Sequence, residues 1–253
     1  MKKILALASF AVLAVAATSY AQNTTVIAGG PHDLTNGSAL RNGNNTINGQ
    51  TCVFCHTPHS GVTSFPLWNR NAPTGASYQV YTSTTSDATT TGAQIALSGS
   101  GACMSCHDGT IAVDVLRNVG GLAFGPAVTF TRQGTAKATY ATSAPGASNL
   151  MSGGLPFIGT DLRNDHPVAI TYETARAATP SEFVTQVLNG AKITVGATNP
   201  LPLFAPPGST GPATTANATI ECASCHSSHN NTLGSFLRKS NTGSAICLSC
   251  HIK

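Results

Sequence analysis

The chain contains eight cysteines, and all eight fall into Cys-x-x-Cys pairs: Cys52/Cys55, Cys103/Cys106, Cys222/Cys225 and Cys247/Cys250. A histidine directly follows each pair, giving His56, His107, His226 and His251. Only 8 of 253 residues are histidine, so this recurrence is far from chance. The spacing constrains the fold because its origin is covalent. Two thiols three positions apart can each add to one vinyl group of a haem, and the adjacent imidazole then points at the iron from one face. Four motifs predict four covalently bound haem c groups. Disulfides would suit an exported, cysteine-rich chain, and the last two pairs have spacing close to a zinc ribbon. Neither reading explains why a histidine follows every pair.

The chain opens with basic Met1-Lys2-Lys3, then an apolar run from Ile4 to Ala17, then Ser19-Tyr20-Ala21. This is the pattern of a secretory leader cleaved after residue 21. The run is shorter than the roughly 20 residues that span a bilayer. The mature chain, residues 22–253, is expected to be exported, with no membrane span. Export agrees with haem attachment, which in bacteria takes place outside the cytoplasm. Only 9% of residues are charged, with no basic cluster, which excludes nucleic-acid binding as a leading role.

Regular pattern is sparse. Residues 82–100, 133–155 and 195–218 are rich in Thr, Ser, Gly and Pro and read as loops. A cap-like Ser181 followed by Phe183, Val187 and Leu188, with Gly190 after them, predicts a short helix over 180–188. Val168 to Tyr172 reads as a short strand. A chain that is 6% aromatic and so irregular has difficulty forming a core from side chains alone. The expected fold is mostly coil with short helices, with something other than side chains filling the centre.

Four histidines lie outside the attachment motifs: His32, His59, His166 and His229. Their number matches the number of haems. Beyond the leader, methionine occurs only at Met104 and Met151, and Met104 is locked inside an attachment loop. The four histidines are therefore the candidates for the sixth iron ligand. His32 and His166 each adjoin an aspartate, Asp33 and Asp165, that could orient an imidazole. Iron with two imidazoles has no open position for a substrate, and its potential lies below that of a Met/His pair. Such haems pass electrons, so the chain is not expected to be an enzyme.

The order of motifs repeats. A lone histidine, then Cys-x-x-Cys-His-x-x-His, then a plain Cys-x-x-Cys-His occurs in about 22–125 (His32, 52–59, 103–107) and again in 156–253 (His166, 222–229, 247–251). Ser64-Phe65 follows the first doubled motif much as Ser235-Phe236 follows the second. His59 lies three residues behind His56, on the same side of that haem, so it must serve another iron or none. The first-choice pairing gives His59 to the haem on Cys103/Cys106 and, by the repeat, His229 to the haem on Cys247/Cys250. His166 then goes to the haem on Cys222/Cys225, and His32 to the first haem.

The segments C-V-F-C-H-T-P-H, P-L-W-N-R, C-M-S-C-H-D-G-T, N-D-H-P-V and the terminal C-L-S-C-H-x-K resemble the outer-surface multihaem cytochromes of metal-reducing bacteria, in particular the tetrahaem OmcE-like kind. The resemblance implies four stacked haems as the core of a coil-rich protein that polymerises into an extracellular filament. It further implies exchange of electrons with other redox cytochromes, and His32 as ligand to a haem of a neighbouring subunit. A soluble periplasmic tetrahaem shuttle is the alternative. Such shuttles are shorter per haem and richer in lysine than this chain. A multihaem reductase would need an open coordination position, and a membrane-anchored quinol oxidase would need to retain the N-terminal apolar segment.

Overall fold

The computed structural model describes residues 27, 30–34, 43–44, 51–62, 65, 67–113, 115–118, 131–132, 150–152 and 156–252. The expected leader, residues 1–21, lies outside the described residues, as does most of the 133–155 stretch. In chain order the elements are β1 (Gly43–Asn44), β2 (Gln79–Val80), α1 (Gly92–Leu97), α2 (Gly99–His107), β3 (Thr131–Arg132), β4 (Asp161–Leu162) and β5 (Ile170–Thr171). They continue with α3 (Tyr172–Ala178), β6 (Val187–Asn189), β7 (Lys192–Val195), β8 (Leu201–Leu203), β9 (Thr219–Ile220) and α4 (Cys222–Cys225). Coil dominates, as expected. The many very short strands were not anticipated, because two residues carry no readable periodicity.

Strand pairing joins distant segments. β2 pairs in parallel with β4, β5 antiparallel with β9, and β1 antiparallel with β3. β6, β7 and β8 form an antiparallel three-stranded sheet. Among the described residues no helix is long and apolar enough to cross a membrane.

The helix predicted over 180–188 does not form. Residues 180–182 turn, and β6 begins at Val187. The reason is local. Asn189 pairs with Lys192 across a two-residue turn in which Gly190 has φ of 62°. A glycine at that position selects a tight hairpin, and the hairpin outcompetes the weak apolar stripe. Helix α3 lies just upstream instead, and the strand expected at 168–172 is cut to Ile170–Thr171. Residues 82–100 are also less loop-like than their composition suggests. The Thr91 side chain accepts from the Gln94 backbone N–H and caps α1, and Ser98 caps α2 in the same way through Ser100.

Among the described residues, apolar side chains form three clusters, and each includes or flanks an attachment motif. Val53 and Phe54 pack with Leu34, Cys55 and Leu116 at the first. Met104 packs with Tyr78, Ile95, Leu162 and Ala169 at the second. The third and largest gathers Ile193, Val195, Leu201, Leu203 and Ile220 with Tyr172 and Cys250, and Cys225 lies against it. Both C-terminal motifs thus share one cluster.

Candidate haem-binding site

Each attachment motif begins with a tight turn that aims its histidine. The N–H of His56 donates to the Cys52 carbonyl at 2.8 Å, that of His226 to Cys222 at 3.0 Å and that of His251 to Cys247 at 2.9 Å. The second motif occupies the C-terminal turns of α2.

The two doubled motifs then close the same loop. The Thr57 N–H donates to Leu67, and the Asn69 N–H to Cys55. Correspondingly the Ser227 N–H donates to Phe236, and the Arg238 N–H to Cys225. Side chains repeat the match: Asn69 Nδ2 donates to the Val53 carbonyl and Arg238 Nε to the Ala223 carbonyl, both at 2.7 Å. By these bonds Phe236 corresponds to Leu67. The expected match of Phe65 with Phe236 is displaced, because the second loop is one residue shorter. Leu67 and Phe236 both have positive φ, 53° and 58°, and Ser235 adds a second left-handed residue at 46°.

Polar clamps hold the motifs to one another. Glu221 is 1% exposed. One of its carboxylate oxygens accepts from Ser98 Oγ at 2.7 Å, Ser100 N at 3.1 Å and Ser100 Oγ at 2.5 Å. The other accepts from Thr219 Oγ1 at 2.8 Å. Ser100 Oγ in turn accepts from the Cys222 N–H at 3.0 Å. One carboxylate therefore ties the start of α2 to the start of α4. Arg70, 1% exposed, donates to the carbonyls of Ser105, Ala112 and Val113. The Tyr78 hydroxyl donates to Asp108 at 2.6 Å, and the Tyr172 hydroxyl to the carbonyls of Val184 and Cys250. None of these clamps was read from the sequence. They join residues remote in the chain, and no spacing rule links them.

The clamps place the four attachment motifs in succession. Trp68 and Arg70, in the loop after the first motif, bond Ser105 inside the second, Glu221 ties the helix of the second to the start of the third, and Cys225 packs against the cluster that holds Cys250. All eight cysteines are free of disulfides. Burial pushes the thiols of Cys55 and Cys250 up to about 12. No cluster of three or more metal-ligating side chains exists among the described residues. Haem iron needs no such cluster, since the porphyrin supplies four nitrogens and the protein two.

The histidines fit that demand. Nδ1–H of His107 donates to the Pro156 carbonyl at 2.6 Å, that of His226 to Ser235 at 2.7 Å and that of His166 to Pro167 at 2.9 Å. A carbonyl can only accept, so Nδ1 carries the proton and Nε2 is left as the ligating atom. Burial, then the neighbouring His107, lowers the His32 pKa to about 4. Burial is also the main cause lowering His107 and His229. Neutral imidazole is the form that binds iron.

The expected pairing of distal histidines is not what the structure brings together. His229 stands across from His56, with ring centroids 6.1 Å apart and planes inclined by 31°. His32 stands 6.2 Å from His107 in its own chain. Phe236 stacks on His32 at 4.2 Å and 11°. His59 and His166 are exposed, and His59 is anchored through its carbonyl, which accepts from Thr57 and Asn118. His251 lies against Phe183.

No curated protein matches the chain. Residues 214–253, which span the last two attachment motifs, match the Doubled CXXCH motif family. That doubled motif indicates covalently bound haem c and a multihaem c-type cytochrome that transfers electrons.

Proposed function

We propose that the protein conducts electrons through four covalent haem c groups with histidine on both faces of each iron, as the subunit of an extracellular filament that delivers electrons to external acceptors. The carrying observation is the succession of attachment motifs: Trp68 and Arg70 after the first bond Ser105 inside the second, Glu221 ties the helix of the second to the start of the third, and Cys225 and Cys250 of the last two share one apolar cluster. Attachment motifs held together in this order bring successive haems close, and electron transfer depends on that distance. With imidazoles on both faces the irons have no site for a substrate, so the chain is a carrier rather than an enzyme. The leader pattern at 1–21 supports export and a secreted mature chain without a membrane span. Within a filament, neighbouring copies and other redox cytochromes are the partners.

We read His32, 6.2 Å from His107 of the same chain, as serving its own subunit, and the exposed His59 and His166 as the imidazoles offered to a neighbour. Electron microscopy of material sheared from cells tests the proposal. Filaments whose density fits this chain support it, whereas a purely monomeric periplasmic fraction replaces it with the shuttle reading.

A further inference from the structure

We propose that His229 is the sixth ligand of the haem on Cys52/Cys55 and His32 that of the haem on Cys103/Cys106, so that the C-terminal half completes an iron site of the N-terminal half. The inference rests on the haem reading above and adds to it which histidine serves which iron.

The first ground is distance. A metal–imidazole bond is about 2 Å and the ring centre lies about 1 Å behind its nitrogen, so two rings trans on one ion sit roughly 6 Å apart. The two pairs lie at 6.1 and 6.2 Å. A ring packed directly on another comes closer, as Phe236 does on His32 at 4.2 Å. The inclinations of 31° and 70° agree with rotation about a shared axis.

The second ground is selectivity. Each pair joins one histidine from an attachment motif to one from outside, which is the combination that an iron with two axial ligands requires.

The third ground is support around the rings. His107 is oriented by the Pro156 carbonyl. The loop after His226 holds His32 from two sides: the Ser228 carbonyl lies 3.5 Å from its Nδ1, and Phe236 covers its face. The same loop carries His229 to His56. On the other side, Trp68 meets His56 edge-on at 5.6 Å and donates to Ser105 at 3.2 Å. A ring placed by chance would not be braced in this way.

The test uses the haem-loaded protein. His229→Met should convert one haem from bis-histidine to Met/His ligation, seen as a new near-infrared charge-transfer band and a raised potential for that haem. The same substitution is then made in a chain lacking the first attachment site (Cys52→Ala, Cys55→Ala), in which intact mass confirms one haem fewer. The Met/His signature should vanish there. If it persists, or if His229→Met alters no haem in the full chain, the assignment is overturned. His32→Met with and without Cys103→Ala/Cys106→Ala tests the second pair in the same way. A wild-type chain whose mass shows no covalent haem would instead overturn the haem reading itself.

Discussion

The two doubled motifs, 52–59 and 222–229, fold into the same loop and then diverge in what their second histidine does. In both, the chain returns to hydrogen-bond the second cysteine, through Asn69 in one and Arg238 in the other. Both use a left-handed residue at the bend, Leu67 or Phe236. Yet His229 is half-buried opposite His56, while His59 is exposed. Local sequence therefore dictates the loop, and tertiary placement dictates the role. Cys-x-x-Cys-His-x-x-His guarantees an imidazole three residues past the attachment histidine, but not an iron within its reach.

The residue preceding each motif offers the strongest way to break the likeness. It is Glu221 in the second and Thr51 in the first. Glu221→Ala strands the donors of Ser98, Ser100 and Thr219 in a buried site and should cost about 4 kcal/mol. Thr51→Ala should cost about 0.5 kcal/mol. Denaturant unfolding of the haem-loaded protein separates the two, and equal losses would mean that Glu221 is not the clamp.

The equivalent side-chain bonds give a smaller contrast. Asn69 is fully buried and bonds Val53 and both backbone groups of Asn118, so Asn69→Ala should cost about 2 kcal/mol. Arg238 is exposed and makes the matching bond in water, so Arg238→Ala should cost about 0.5 kcal/mol. The same unfolding measurement checks both.

The smallest effect is a gain. Leu67 is 55% exposed at φ of 53°. Leu67→Gly removes left-handed strain at the cost of unfolded-state entropy, and should raise stability by about 0.5 kcal/mol. A loss would show that the Leu67 side chain packs against something that its exposure does not reveal.

The legible and illegible parts of this molecule divide along sequence separation. Cys52, Cys55 and His56 sit within five positions, so their chemistry is written in the spacing. The rings that face His56 and His107 are those of His229 and His32, far away along the chain, and no local pattern announces them. Extending the repeat by analogy gave a different pairing, because repeated loops need not occupy equivalent places. The coil-rich character was readable from composition. The hairpin at Gly190 is not announced by the sequence, because Gly190 reads equally as the stop of a helix carrying the apolar stripe at Phe183, Val187 and Leu188. Glu221 gave no sign, because its partners Ser98 and Ser100 lie on another segment.

The left-handed kink at Ser235 and Phe236 carries one more consequence. The Ser235 carbonyl orients His226, and the Phe236 ring lies flat on His32. Two consecutive residues, each in a costly backbone conformation, thus act as a rigid lever between two imidazoles remote in the chain. Turning one ring pulls on the seat of the other, so the two rings are mechanically geared.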